Sequence, residues 1–248
     1  MTNKISKTRY LVLQIDIEGG TQWGNHNTIN PIREIFIPSV KHYCQKHNYD
    51  HLLIQESQYA KQYDQFDFLA TKTKHYSFER YFHFDNNYDY TIYIDNDVFV
   101  YPDADPLPEF TGICNVREPE GNSSKIFREV NNLSNSFPYF NSGVTFCDNF
   151  TAKKLSFYML DRLQKNIRAK GKNSDNMLLN EFILQNNKLF SEIGCEWNYM
   201  PFLENSSKTN KPNFFHFVGI VGKHIINKLQ DNNISLESFL SELKKDKS

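Results

Sequence analysis

The sequence predicts an α/β domain with a mainly parallel central sheet flanked by helices. Two observations predict the class. Short apolar runs with polar exits lie at residues 9–16 (RYLVLQID), 51–54 (HLLI) and 90–94 (YTIYI). Segments with helical periodicity separate them, and strand, helix, strand, helix, strand implies parallel pairing with crossover connections. A third observation sets the scale. The chain has 248 residues, 39% of them hydrophobic and 15% aromatic, enough for a sizeable core in one domain.

Each element follows in order. Residues 9–16 read as a buried strand. Asn30-Pro31 pairs an N-cap residue with proline at the first helical position. Ile32, Ile35, Phe36, Val40 and Tyr43 then recur at helical spacing, and Pro38 must kink or split that helix. Residues 51–54 form a second strand, and the aromatic- and lysine-rich stretch 66–84 reads as largely helical. The strand at 90–94 follows.

The second half is less regular. Residues 112–117 read as a strand, and the Asn- and Ser-bearing stretch 118–137 as a loop or excursion. Residues 139–146 carry Phe140-Asn141-Ser142-Gly143-Val144. Residues 153–168 predict an amphipathic helix, with Leu155, Met159, Leu160 and Leu163 on one face. Residues 175–184 predict another helix, and 214–222 hold His216 and two glycines. A last amphipathic helix spans 234–243, with Leu236, Phe239, Leu240 and Leu243 at helical spacing and lysines just beyond. That face would pack on the domain's own surface, or dock on a membrane or a partner. With neither repeat nor linker in view, residues 1–248 read as a single domain.

Composition also excludes. A formal net charge of -1 gives no support for nucleic acid as the main partner. No run of eighteen apolar residues marks a membrane span. The stretch MTNKISKTRY is polar and runs into a strand, so it does not read as a signal peptide. Cys44, Cys114, Cys147 and Cys195 show no CxxC or other metal-site spacing and read as reduced thiols of a cytoplasmic protein.

The chemistry concentrates in residues 90–103, YTIYIDNDVFVYPD. Ile92-Tyr93-Ile94 runs directly into Asp95-Asn96-Asp97. Carboxylates at the exit of a buried strand are costly unless something pairs with them. A divalent cation held by hard oxygens is a natural partner. Read alone, the Asp-x-Asp fits a solvated turn as well as a metal site. A haloacid-dehalogenase phosphatase would have Thr or Val where Phe99 stands, near the N-terminus. An EF-hand would need glycine at Val100 and glutamate at Pro106. The turn after the first strand, IDIEGGTQWGN, has glycines but no GxGxxG, and no Walker sequence occurs. Bound phosphates would therefore need a metal and cationic side chains.

What surrounds the Asp-x-Asp decides between the readings. Arg80 precedes it. Phe140-Asn141-Ser142-Gly143-Val144, Asp175-Asn176-Met177-Leu178-Leu179-Asn180, Trp197-Asn198-Tyr199 and His216-Phe217-Val218-Gly219 with Lys223 follow. This order resembles retaining GT-A glycosyltransferases of the glycogenin and lipopolysaccharide galactosyltransferase type. It is similar, too, to the xylosyl-, galactosyl- and mannosyltransferases that carry HFxG near the C-terminus. The resemblance covers roughly residues 9–223.

The resemblance implies a GT-A fold, with residues 1–112 binding the nucleotide and 113–248 closing the metal site and forming the acceptor pocket. It implies transfer of a hexose or pentose from a nucleoside-diphosphate sugar, UDP ahead of GDP, to a hydroxyl of a glycan or glycoconjugate, with retention. Asp95, Asp97 and His216 would hold Mn2+ or Mg2+, and the imidazole favours manganese. Asp95 and Asn96 would also face the donor, Gln14 and Asp16 the nucleotide base, and Arg80, more weakly Lys74, the donor side. Asn141 and Ser142 match the segment that faces sugar hydroxyls. Gly219 would let backbone approach the phosphates, and Lys223 would add a cation to the leaving group. Asp175 and Asn176 match the family's Asp-Gln pair, the catalytic positions beside the donor sugar. Two departures stand out. Asn176 is one methylene shorter than Gln, and Lys223 falls one residue later than HxxGxxKP places it, with no proline after. Two other functions remain open. A sugar-nucleotide nucleotidyltransferase shares the architecture but expects a basic N-terminal loop, and residues 18–25 carry no Lys or Arg. A non-catalytic carbohydrate-binding protein could use the same fold.

Overall fold

The computed structural model describes residues 8–17, 32–57, 76–165, 175–203, 208–209, 211–232 and 234–245. The expected helix start at Asn30-Pro31, most of the glycine turn, residues 66–75 with Lys74, and the end of the 153–168 helix lie outside them.

Six strands form the central sheet: β1 (Tyr10–Ile15), β2 (Asp50–Ile54), β3 (Tyr90–Ile94), β5 (Ile113–Arg117), β6 (Phe140–Asp148) and β7 (Phe190–Glu192). Their order is β2-β1-β3-β6-β5-β7. β1 pairs parallel with β2 and β3, and β5 parallel with β7, while β6 runs antiparallel to β3 and β5. The start of β6 therefore sits at the edge where β1, β3 and β5 end. That edge is where ligands bind in open α/β sheets. A bulge in β5 between Asn115 and Arg117 lies at the same edge.

Side-chain alternation divides the core. Leu11, Leu13, Tyr93 and Cys147 face one side of the sheet; Val12, Ile92, Ile94 and Phe146 face the other. The first side is covered by α2 (Glu79–Phe82), α4 (Asn149–Gln164) and α5 (Asp175–Gln185); the second is packed by α1 (Ile37–His47). A two-stranded antiparallel sheet, β4 (Val98–Val100) with β8 (Phe214–His216), packs beside α1. Its outer side carries a third cluster that includes Phe99, Phe215, Phe217, Leu236 and Leu240. The last two belong to α7 (Leu236–Lys245), which follows α6 (Gly219–Asp231). Leu236 and Leu240 of the terminal helix are thus buried against the domain itself, and Phe239 is half-buried beside them. Among the described residues no helix is long and apolar enough to cross a membrane.

Local chemistry explains several boundaries. Pro38 sits in the first turn of α1, after a π-helical turn at Ile32–Phe36, so the expected split occurs at the residue before it. Asn48, with φ 58°, closes α1 in the left-handed conformation that asparagine tolerates. Asp148 caps α4 by accepting from Thr151 N at 2.7 Å, which starts the helix four residues before the expected position. One expectation is corrected. The stretch 118–137 is not all loop, because α3 (Asn122–Val130) lies within it. The helix forms around buried Phe127 and Arg128; the guanidinium donates to Glu120 and to the Phe137 carbonyl. Its apolar residues Ile126, Phe127 and Val130 do recur at helical spacing, but they are only three in a nine-residue helix.

Candidate metal and sugar-nucleotide site

The cluster begins at the end of β3. The chain leaves the strand at Asp95, whose N–H donates to the Gly143 carbonyl at 2.7 Å, and turns into β4 at Val98. β4 pairs with β8 so that Val98 stands opposite His216, and the Phe217 N–H reaches the Asp97 carbonyl at 3.0 Å. Strand pairing therefore sets His216 beside Asp97. Its Nε2 is 3.1 Å from Asp97 Oδ1 and 4.0 Å from Asp95 Oδ2. One ligand atom from each of the three residues lies within 4.8 Å of the others. Asp97 and His216 are buried, and Asp95 is partly open to solvent.

This donor set fits a divalent cation. Asp97 Oδ1 is buried and accepts no well-aligned hydrogen bond. Two carboxylates and one imidazole offer mixed oxygen and nitrogen ligands suited to manganese. Electrostatics points the same way. Burial and the Asp97 carboxylate push Asp95 well above the usual carboxylate range. Burial alone would lower His216, but Asp97, with Asp95 and Glu118 beyond it, holds the ring above its ordinary value.

Two hydrogen-bonded arms extend from the cluster. In the first, Tyr93 donates its hydroxyl to Asp95 Oδ1 at 2.5 Å. The Arg80 guanidinium lies 4.0 Å from the centre of the Tyr93 ring and donates to Asp175 Oδ2 at 2.6 Å and to the Ser142 carbonyl at 3.3 Å. Ser142 Oγ also faces that Asp175 oxygen, at 3.4 Å. Arg80 is 1% exposed, so it is no helix-surface charge. In the second arm, Asn141 and Asn176 both donate to Glu118 Oε2, at 3.1 and 3.0 Å. Burial raises the Glu118 carboxyl. Asn141 Oδ1 accepts from Asn198 at 2.9 Å, and Asn198 Oδ1 meets His216 Nδ1 at 2.9 Å.

The structure thus joins Arg80, Asn141, Ser142, Asp175 and Asn176 to the cluster of Asp95, Asp97 and His216. Asn96, in the turn between the two aspartates, is half-buried. Gln14 and Asp16 are engaged elsewhere: Gln14, fully buried, bonds His51 Nε2 at 3.0 Å, and Asp16 pairs with Arg33 at 2.8 Å. Gly219 is the first residue of α6, three residues after His216. Lys223 lies within α6, and its side chain is outside the described part of the structure. Sequence reasoning missed Tyr93, Glu118, Gly143 and Asn198. Tyr93, Gly143 and Asn198 stood inside segments already singled out; Glu118 did not.

Arg80→Met is expected to lower stability by roughly 3 kcal/mol, because removing one partner of a buried pair strands the other. Asp175 is 20% exposed, so water would relieve part of the loss. A urea melt reads the change, and an unaltered midpoint would show that the pair contributes nothing.

Solved structures share this architecture. A glycosyltransferase involved in the glycosylation of the major capsid of PBCV-1 superposes with TM-score 0.53 at 12% identity, covering 90% of this chain and 99% of that one. Mouse xyloside xylosyltransferase 1 gives 0.52 at 15% identity, covering 85% and 98%. The bifunctional glycosyltransferase WbbM gives 0.52 at 14%, covering 88% of this chain and 47% of that one. No family model and no curated protein matches the sequence. The fold is that of the GT-A glycosyltransferases. Within it, this chain places two aspartates and a histidine in metal-binding geometry at the carboxyl edge of the sheet.

Proposed function

We propose that the protein is a metal-dependent glycosyltransferase. It moves a sugar from a nucleoside-diphosphate sugar, UDP ahead of GDP, to a hydroxyl of a glycan or glycoconjugate, with retention. The observation that carries this reading is the convergence of Asp95, Asp97 and His216 within 4.8 Å in a GT-A fold. A bound Mn2+, or Mg2+, would act as a Lewis acid on the diphosphate and stabilise the leaving nucleoside diphosphate.

The chain's own residues divide the remaining work. Asp95, Asp97 and His216 hold the cation. Residues 1–112 supply the nucleotide side, with Asn96 toward the donor; residues 113–248 supply the acceptor side. Asp175, held by Arg80, and Asn176, held by Glu118, face the donor sugar, with Asn141 and Ser142 beside them. Gly219 and Lys223 serve the phosphates from the start of α6. Among the described residues none is placed as an obvious nucleophile. A front-face route, in which the leaving phosphate oxygen takes the acceptor proton, asks least of these groups. Arg80 contributes positive charge behind the site.

Product analysis with Mn2+ and a panel of UDP- and GDP-sugars tests the reading. A transferase releases nucleoside diphosphate. Pyrophosphate formation or consumption would establish a nucleotidyltransferase, and neither product would mark a carbohydrate-binding protein.

Proton and metal binding compete at this cluster. Asp95 and His216 both hold protons to higher pH than free side chains do. A cation takes only their deprotonated forms, so Mn2+ affinity is expected to fall as pH drops from about 8 to about 6. Titrations followed by the electron paramagnetic resonance of free Mn2+ measure this. A flat profile would contradict the competition.

A further inference from the structure

The second arm of the site carries more information than its distances. The Gly143 backbone N–H can only donate, and it meets Asn141 Oδ1 at 2.8 Å. That contact fixes which end of the Asn141 amide is oxygen. The other end, Nδ2, then faces Glu118 Oε2, an acceptor, as it must. Asn198 meets the same Asn141 oxygen at 2.9 Å, so it presents its own Nδ2 there. Its oxygen is consequently the atom 2.9 Å from His216 Nδ1, and that ring nitrogen carries a hydrogen. Nε2 is the nitrogen left to face Asp95 and Asp97. One backbone donor thus determines the orientation of two amides and the donor end of an imidazole. Asn198 is fully buried and Asn141 is 6% exposed, so neither exchanges these partners freely with water.

We propose that Glu118 and Asn198 are positioning residues for the metal. Asn198 directly, and Glu118 through Asn141 and Asn198, hold the His216 ring in the tautomer and orientation that direct Nε2 at the cation. The same Glu118 oxygen also holds Asn176, the amide placed toward the sugar. Metal ligand and sugar-facing amide therefore share one anchor. The proposal rests on the metal reading above. Partners that orient a metal-binding histidine matter for affinity, and losing one weakens binding by about 10- to 100-fold. The effect should be selective for the ion, since imidazole nitrogen is a better ligand for Mn2+ than for Mg2+.

The test measures Mn2+ and Mg2+ dissociation constants and melting temperature for the full chain and for Asn198→Ala, Glu118→Ala and Glu118→Gln. Glutamine keeps an acceptor oxygen for both amides, so Glu118→Gln is expected to bind Mn2+ close to wild type. Glu118→Ala and Asn198→Ala are expected to lose about tenfold or more in Mn2+ affinity, with a smaller loss for Mg2+. Asn198 is fully buried, so its alanine variant is expected to melt lower; the half-buried Glu118 pair decides the matter independently of folding. Folded alanine variants with unchanged Mn2+ affinity and preference would overturn the proposal. So would a Glu118→Gln variant that loses as much as Glu118→Ala, because charge rather than hydrogen-bond direction would then be at work. A wild-type protein that binds no Mn2+ would overturn the underlying metal reading instead, and the proposal with it.

Discussion

Asp97→Ala is expected to abolish turnover while leaving the protein folded. A metal acting as a Lewis acid supplies several kcal/mol of stabilisation to charge that develops in the transition state. At 1.36 kcal/mol per factor of ten, that predicts a loss of about a thousandfold or more. The loss should fall on turnover rather than on donor affinity alone, because the interaction strengthens as the diphosphate departs. Stability should change little. The cluster holds two carboxylates and one imidazole, and burial together with the neighbouring Asp97 charge raises Asp95, so removing Asp97 relieves a like-charge repulsion. Without Asp97, His216 still has Asp95 4.0 Å away. The measurement is nucleoside-diphosphate release with Mn2+, alongside a melting curve. A folded variant that keeps most of its activity would falsify the metal-dependent mechanism.

The parts of this site that could be read in the sequence are those where local pattern and chemistry coincide. Ile92-Tyr93-Ile94 must be a buried strand, so carboxylates at its exit required a partner. His216 followed by Phe217-Val218-Gly219 supplied one. Strands β1, β2 and β3 were equally plain, because their apolar runs are continuous; β7, Phe190-Ser191-Glu192, has no such run and was not legible. Asn198 and Glu118 were not legible as site residues, since an amide after a tryptophan and an acid before a proline carry no local signature. Their importance comes from strands β5, β6 and β8 meeting at one edge. Arg80 shows the same limit. On a short helix next to Glu79 it reads equally well as a surface charge. Only the packing of α2 on the sheet puts it under Tyr93 and against Asp175. Helix α3 was hidden for a different reason: a single phenylalanine and a paired arginine anchor it, and nine residues leave little room for a period.

Gly143→Ala should remove metal binding without touching a ligand. A Cβ at this position would lie 2.3 Å from His216 Cε1, 2.8 Å from Asp95 Oδ2 and 2.9 Å from Asn141 Oδ1. One methyl group therefore collides with two of the three ligands, His216 and Asp95, and with the amide that helps orient His216. The reason is space alone, for the residue does not have a positive φ. Nor can the backbone easily retreat. Gly143 donates its N–H to Asn141 and accepts from the Asp95 N–H, and Val144 beside it is in register with Ile94 in the middle of the sheet. The ligands must move instead. Displacing His216 breaks its bond to Asn198, and displacing Asp95 pulls on Tyr93. Overpacking of this kind costs about 1–3 kcal/mol in stability. The functional loss should be larger than that cost suggests, because metal ligands tolerate errors of only about 0.2 Å. Mn2+ titration and thermal melting on the same preparation separate the two effects. The expected result is a modestly destabilised, folded protein with no measurable Mn2+ affinity at concentrations that saturate the wild type. A variant that binds Mn2+ normally would show that the cation does not sit among Asp95, Asp97 and His216.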